Sequence, residues 1–276
     1  MTRPSRFPMA LDRVHAQTSA TVGSGRSGKP ATEVLRPQRP VHQAALDAAR
    51  QQPPSGLGMD SAAVRQRMVG RLRAGGVRCE PVLQAFGQVE RHRFVDTALA
   101  TQAYEDTSLP IGLQQTISKP SVVARMLALL FEGDAARELG HLGRVLEVGT
   151  GCGYQAALLA LLARSVISIE RLKPLHEKAR DNLAHQRQGD LRLLHGDGRL
   201  GHPPWAPYQS IIAAAGGDDL PQAWLDQLGP GGRLVAPMHD PSRGGQVLVV
   251  VDRRPEGLVT QRHDAVHFVP LKSGTE

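Results

Sequence analysis

The sequence contains little cysteine, few aromatic residues and no long hydrophobic run. Its 276 residues include only two cysteines, Cys79 and Cys152, too few for a disulfide framework, which favours a reducing compartment. The best apolar run, residues 156–163, is far shorter than the roughly 20 residues that cross a bilayer. Charges and prolines interrupt the first twenty residues, where a secretory signal would need an unbroken apolar segment. We therefore expect a soluble, cytoplasmic protein with no membrane partner.

The composition also argues against a metal site and against nucleic acid as a partner. No cysteine stands at ligand spacing from any of the eleven histidines, so no metal is expected. Of the formal net charge of +7, +5 lies in residues 1–59. A protein that binds nucleic acid normally carries its charge on the folded part, with aromatic side chains for stacking, and aromatic residues here make up only 4%. A nucleic-acid-binding module is kept as the non-enzymatic alternative.

The residue pattern changes near Met59. Residues 1–58 are rich in Pro, Gly, Ser, Gln and Arg and show no helix or strand period, which predicts a disordered basic tail. Residues 59–140 predict helices and a loop, in the order SAAVRQRMVGRLRAGG, PVLQAFGQVERHRFV, the loop YEDTSLPIGLQQTISKPS, and VVARMLALLFE. Residues 141–276 alternate between strands and helices and end in a strand within HDAVHFVPL. This alternation predicts an α/β fold with a doubly wound, mostly parallel sheet, whose ligands bind at the carboxyl ends of the strands.

A glycine-rich turn joins the first of these strands to a helix in VLEVGTGCGYQAALLA. Gly149, Gly151 and Gly153 would let backbone amides approach a ligand and aim a helix N-terminus at it. Two cofactors fit this arrangement. A nicotinamide dinucleotide would place a ribose on Glu170. S-adenosylmethionine would place its amino-acid end near Glu147.

The end of the third strand, LLHGDG, favours S-adenosylmethionine. Asp197 could accept a hydrogen bond from the amine of adenine, and Gly198 permits close approach of the base. One acid for each of three successive strands, Glu147, Glu170 and Asp197, suits a nucleoside that lies across the sheet edge. Cys152 is interpreted as a small residue in the turn, because no base for a catalytic thiol is adjacent in sequence.

Several runs together resemble the protein-L-isoaspartate O-methyltransferase family over about residues 61–271. They are AYEDTSLPIGLQQTISKPSVVARM, VLEVGTGCGYQAA, SIERL, HGDG and AVHFVPL. The resemblance implies a Rossmann-like class I methyltransferase fold with N-terminal helices. It implies methyl transfer from S-adenosylmethionine to the α-carboxyl of L-isoaspartyl residues in damaged proteins, which are repaired through a succinimide. Isoaspartyl-containing proteins and peptides would be the partners of a monomeric enzyme. A nicotinamide-dependent oxidoreductase is the alternative.

The resemblance also assigns site residues. The family's active-site hydroxyl falls on Ser118, which we also count among the cofactor contacts. The other cofactor contacts are Gly149, Thr150, Gly151, Cys152, Gly153, Glu170, Asp197 and Gly198, together with Glu147 from the reasoning above. A carboxylate is already ionised at neutral pH, so Ser118 needs only to donate a hydrogen bond that aims an oxygen at the methyl carbon. A helix cap is its alternative role.

One departure from the family is visible in the loop before Ser118. The family usually has Gly-x-Gly-Gln where this chain has Gly112-Leu113-Gln114-Gln115. The segment SLPIGLQQTIS and residues 267–271 are the expected lining of the substrate cleft.

Overall fold

Helices form the first part of the described chain. The computed structural model describes residues 62–184, 189–242 and 244–276, and the tail predicted over residues 1–58 lies outside them. The helices here are α1 (Ala62–Ala74), α2 (Glu80–Gln88), α3 (Pro120–Phe131) and α4 (Asp134–Leu139), with 3-10 helices at Arg91–Phe94 and Thr97–Gln102. The second predicted helix was too long. Helix α2 ends where Val89 turns extended, and α4 was not predicted.

The loop predicted before Ser118 contains a small hairpin. Strand β1 (Leu109–Gly112) pairs antiparallel with β2 (Gln115–Ile117), and Gly112 stands opposite Gln115. The two residues between them, Leu113 and Gln114, have φ values of 51° and 58°. Positive φ at both central residues is typical of a type I′ turn, which normally uses glycine or asparagine. The backbone at Gln114 therefore has a conformation that favours glycine.

We expect Gln114→Gly to raise the free energy of unfolding by about 0.5 to 1 kcal/mol. The left-handed conformation costs a non-glycine residue roughly 1–2 kcal/mol, and the greater freedom of glycine in the unfolded chain offsets part of the gain. Urea unfolding of both proteins measures the difference. Gln115→Gly is the matched control, because Gln115 has no positive φ and should lose stability. Equal or lower stability of Gln114→Gly would contradict the strain.

A seven-stranded sheet carries the second part of the chain. Its strands are β3 (Arg144–Val148), β4 (Ser165–Glu170), β5 (Asp190–His195), β6 (Tyr208–Ala213), β7 (Leu228–Asp240), β8 (Gly245–Arg254) and β9 (Gly257–Val266). The order is β5-β4-β3-β6-β7-β8-β9. The pairs from β5 to β7 are parallel, and β8 and β9 are antiparallel. The predicted mostly parallel α/β sheet is confirmed.

Helices cover the sheet because its central strands are apolar on both faces. Every residue of β4 is buried, as expected of a parallel strand between two layers. Neighbouring residues of β3 belong to different cores: Val145 packs with α3 and α5 (Tyr154–Leu162), and Leu146 packs with Trp224 of α7 (Gln222–Gln227). Helix α6 (Lys173–Leu183) joins the first of these cores. The two cores hold the strand ends in fixed positions.

The last strand differs from its prediction. We placed it within residues 263–271, but β9 begins at Gly257 and ends at Val266. Its residues are almost all exposed or half-buried, so this edge strand lacks the apolar run that marks the inner strands. After it, Leu271 and Gly216 share a backbone hydrogen bond, which holds the following segment beside β6. Within residues 62–184, 189–242 and 244–276, no helix has the length and apolar character needed to cross a membrane.

Candidate active site

A cavity of about 580 Å³ opens at the carboxyl ends of β3, β4 and β6. Its lining includes the β1–β2 hairpin with Ser118, the glycine turn after β3, the segment that follows β4, Gly198, residues 214–215, and residues 269–272 with Glu276. Its volume falls in the range of roughly 300–1,000 Å³ that is usual for small-molecule sites. The predicted position of the site, at the carboxyl edge of the sheet, agrees with this cavity.

The glycine turn is built around backbone conformations that only glycine adopts easily. Gly151 and Gly153 have φ values of 57° and 92°. A Cβ at Gly151 would stand 3.3 Å from Ile111 of the hairpin, and one at Gly153 would stand 2.9 Å from Leu183 of α6. Gly151 lines the cavity, whereas Gly153 packs against α6 and starts α5. The turn therefore serves both the cavity and the helix packing.

Glu170 ties the glycine turn to the end of β4. Its Oε2 accepts a hydrogen bond of 2.8 Å from Gly151 N–H, and its Oε1 accepts one of 2.9 Å from Leu172 N–H. The carboxylate is buried but lines the cavity. Each oxygen of a carboxylate accepts two hydrogen bonds. Glu170 therefore keeps one acceptor position per oxygen for a ligand.

Asp197 and Gly198 form the rim beyond Glu170. Asp197 accepts hydrogen bonds from Arg199 N–H at 2.9 Å and from Gly274 N–H at 2.7 Å. Gly198 lines the cavity, and a Cβ there would stand 2.5 Å from Val148 Cγ1, so no larger residue fits. Asp197 itself does not line the cavity.

The segment after Leu271 crosses this rim, which the sequence did not indicate. Arg171 donates from Nε to the Gly274 carbonyl at 3.1 Å and from Nη2 to Glu276 Oε1 at 2.8 Å. The Lys173 N–H donates to the Glu276 carbonyl at 2.8 Å. Together with the bond from Gly274 to Asp197, these contacts close one side of the cavity.

Glu147 lies behind the glycine turn and does not line the cavity. Its Oε2 accepts a hydrogen bond of 2.5 Å from the Ser168 hydroxyl, which is also 2.6 Å from Thr150 Oγ1. Thr150 lines the cavity, so the carboxyl reaches the site through two hydroxyl groups. Burial raises the pKa of Glu147 to about 8, against the opposing effect of the Ser168 hydrogen bond.

Cys152 lines the cavity as a buried small residue of the turn. Burial raises the pKa of its thiol, which disfavours the thiolate that nucleophilic catalysis would need. Its carbonyl accepts a hydrogen bond of 2.8 Å from Asn182 Nδ2. These contacts agree with the structural role predicted for Cys152.

Ser118 follows β2 and lines the same cavity as the glycine turn. The N-cap of α3 is Lys119, whose side chain makes no capping hydrogen bond. A first-turn N–H, that of Ser121, donates to Asp106 Oδ1 at 2.8 Å, so the alternative role of Ser118 as a cap finds no support. The Ser118 carbonyl accepts a hydrogen bond of 2.7 Å from Nη2 of Arg91, a fully buried residue. Sequence reasoning missed Arg91, because an arginine within the charged run Glu90-Arg91-His92-Arg93 looks like a surface residue and gives no sign of contacts 27 positions away.

The cavity brings together seven of the ten predicted site residues: Ser118, Gly149, Thr150, Gly151, Cys152, Glu170 and Gly198. Glu147, Gly153 and Asp197 stand directly behind or beside them. Of the expected cleft residues, 269–271 line the cavity, and His267 does not. Two residues that the sequence reasoning did not single out, Tyr154 and Gln155 at the start of α5, also face it.

Comparison with known proteins gives concordant similarities. A family model described as protein-L-isoaspartate(D-aspartate) O-methyltransferase matches residues 63–276. A protein-L-isoaspartate O-methyltransferase of Methylibium petroleiphilum is 62% identical, over 99% of this chain and 98% of the relative. One of Leptothrix cholodnii is 58% identical, over 99% of this chain and 95% of the relative.

Solved structures show the same similarity in three dimensions. A structure named protein-L-isoaspartate O-methyltransferase superposes with a TM-score of 0.67 at 25% identity, over 76% of this chain and 66% of that one. A putative protein-L-isoaspartate O-methyltransferase of Plasmodium falciparum, in complex with S-adenosyl-L-homocysteine, gives a TM-score of 0.65 at 22% identity, over 75% and 98% of the two chains. The second similarity is one of fold.

Proposed function

The chain belongs to the protein-L-isoaspartate O-methyltransferase family, and on this premise we propose that Ser118 orients the substrate carboxylate for methylation. The enzyme transfers a methyl group from S-adenosylmethionine to the α-carboxyl of L-isoaspartyl residues in damaged proteins, and this starts their repair through a succinimide. One observation carries the assignment of roles. A single cavity is lined both by Ser118 and by the glycine turn with Glu170.

The residues of the cavity fit S-adenosylmethionine. Gly198 lines the cavity at a point where a Cβ would stand 2.5 Å from Val148 Cγ1, so only glycine fits there, and we place the base beside it. Glu170 has acceptor positions for the two ribose hydroxyls, and Asp197 has them for an adenine amine. Thr150, held by Ser168 and Glu147, lies at the turn, where we place the amino-acid end.

The chain supplies alignment and a dry environment in this proposal. The cofactor supplies the electrophilic methyl group. The substrate carboxylate is the nucleophile and is ionised at neutral pH, so no residue has to remove a proton. Ser118 donates a hydrogen bond that fixes one carboxylate oxygen, and the apolar walls of Ile117 and Val123 exclude water, which strengthens that bond.

The substrate binds, in this proposal, as an extended main chain between the β1–β2 hairpin and residues 269–271. Both segments line the same cavity as Ser118. Residues 59–140 then supply the substrate loop, and residues 141–276 supply the cofactor-binding sheet together with the segment 269–271 that contacts the substrate. We further propose that the enzyme acts as a cytoplasmic monomer, with neither nucleic acid nor membrane as a partner, in keeping with its two unpaired cysteines and its low aromatic content.

The function is tested with labelled S-adenosylmethionine and two matched peptides that differ only in one isoaspartyl or aspartyl residue. We expect labelling of the isoaspartyl peptide to be at least about 100-fold faster, since the wrong backbone path displaces the carboxylate from Ser118. Calorimetry with S-adenosylhomocysteine and with NADH provides the control, and only the first should bind. Equal labelling of both peptides would contradict the substrate assignment. Binding of NADH without binding of S-adenosylhomocysteine would support the alternative function as an oxidoreductase.

A further inference from the structure

Arg91 is a buried cation beside the active site. Its side chain is 0% exposed. Its Nε donates to the Ala103 carbonyl at 2.8 Å, its Nη2 donates to the Ser118 carbonyl at 2.7 Å, and its Nη1 makes no hydrogen bond within the described residues. No ion pair joins it to a carboxylate in the part of the chain that the structure describes. An arginine remains protonated even when burial lowers its pKa, as it does here. The site therefore contains a fixed positive charge that is hydrogen-bonded to two carbonyls and stacked on a ring, and that Asp106 attracts without forming an ion pair in the described residues.

The same guanidinium also contacts the cofactor side of the cavity. Its Cζ lies 4.8 Å from the ring centroid of Tyr154, the first residue of α5 and part of the cavity wall. Phe94 and Phe86 pack edge-on against the same ring, with centroid distances of 5.5 and 6.1 Å. The ring cannot move without disturbing these contacts. Arg91 thus joins the Ser118 main chain to the start of the helix that follows the glycine turn.

Burying a cation without an ion-pair partner costs desolvation free energy. Two carbonyls and an aromatic face offset part of the desolvation. The proposed substrate brings a negative charge closer than that of Asp106, since its α-carboxylate binds at Ser118, whose own carbonyl is in contact with Arg91. In a site with few waters, such a charge attracts an anion more strongly than it would in bulk solvent.

We propose that Arg91 is a positioning residue for the methyl transfer: it fixes the Ser118 main chain against Tyr154, and its charge favours the substrate carboxylate. The inference rests on the proposed function. Arg91 has two separate effects in this proposal. Its hydrogen bond fixes the position of the Ser118 main chain, and its charge attracts the substrate carboxylate. Lysine keeps the charge but cannot hold two carbonyls with one planar fork. Glutamine keeps a donor but removes the charge.

The charge is tested with Arg91→Gln and two peptides, one isoaspartyl and one isoasparaginyl. The isoasparaginyl peptide has a neutral carboxamide in place of the carboxylate and serves as an inhibitor. We expect KM for the isoaspartyl peptide to rise about tenfold, because the charge attraction is lost, while the inhibition constant of the neutral peptide changes less than about twofold. Equal weakening of both peptides would show a purely structural role and overturn the claim about charge.

The geometry is tested with Arg91→Lys, which also decides the matter if Arg91→Gln does not fold. We expect kcat to fall at least about tenfold with KM nearly unchanged, since a small displacement of Ser118 is enough to misalign the carboxylate. Affinity for S-adenosylhomocysteine should stay at the wild-type value in both variants, which verifies the fold. Wild-type kcat in Arg91→Lys would overturn the positioning role.

Arg144→Gln is the matched control. Arg144 is half-buried, whereas Arg91 is fully buried, but it likewise donates to a main-chain carbonyl, that of Trp205, and it lies at the opposite end of β3. The Arg144→Gln substitution should leave KM for the isoaspartyl peptide, the inhibition constant of the isoasparaginyl peptide and kcat unchanged. If the wild-type protein fails to methylate the isoaspartyl peptide, the proposed function fails and this inference with it. If the wild type is active and the Arg91 variants behave like the control, only the inference fails.

Discussion

Ser118→Ala should lower kcat for the isoaspartyl peptide about 100-fold or more while leaving affinity for S-adenosylhomocysteine within about twofold of wild type. The hydroxyl is the group on the hairpin side of the cavity that we assign to the carboxylate, and its loss leaves that anion free to rotate. The fold should persist, because the contact that fixes this position is the Ser118 carbonyl, which alanine retains. Steady-state kinetics and calorimetry measure the two quantities separately.

Ser121→Ala is the matched control for this variant. Ser121 is three residues further along, and its hydroxyl donates to Asp106 Oδ2 at 2.8 Å. It does not line the active-site cavity, so its loss should not change kcat. A wild-type kcat in Ser118→Ala would remove Ser118 from the mechanism. Equal losses of kcat in both variants would instead point to damage to the start of α3.

The inner strands could be predicted from the sequence because they are short, mostly apolar runs, as expected of strands buried on both faces. The strand predicted at SVISIE matches β4, Ser165–Glu170, at both ends. Its residues are buried on both faces, and the glycine motif and the following Pro174 mark its surroundings. The edge strand β9 has no such signal. Its pairing with β8 over ten residues depends on backbone hydrogen bonds, which any residue can make.

The sequence indicates which residues line the cavity where those residues directly follow a strand. It does not indicate side-chain contacts that depend on the pairing register of two strands. Gly151, Glu170 and Gly198 line the cavity because parallel strands bring their carboxyl ends to one edge. Glu147 was expected at the ligand, but β3 and β4 pair so that it stands beside Ser168. The register of two strands separated by a helix cannot be derived from either strand alone, so this hydrogen bond was not foreseen.

Glu147→Gln should remove a large pH dependence from the stability of the protein. Burial raises the pKa of the native carboxyl to about 8, above the value of about 4.3 in an unfolded chain. Between these two values the native state keeps a proton that the unfolded state has lost. Unfolding therefore releases a proton, and stability falls as pH rises through this window. At pH 9 the wild type should be less stable than at pH 4.5 by an amount of the order of 5 kcal/mol from this group alone.

The glutamine variant retains an oxygen that can accept the Ser168 hydrogen bond, and it carries no charge at any pH. We expect the two proteins to have similar free energies of unfolding near pH 5 and the variant to be the more stable near pH 9. Urea unfolding at intervals between these values measures the difference. Glu138→Gln, at an exposed position on α4, should keep the wild-type pH dependence. Parallel curves of unfolding free energy against pH for wild type and Glu147→Gln would contradict the raised pKa, because they would show that the native carboxyl is ionised across the whole range. A positive partner or water would then have to lie beside it.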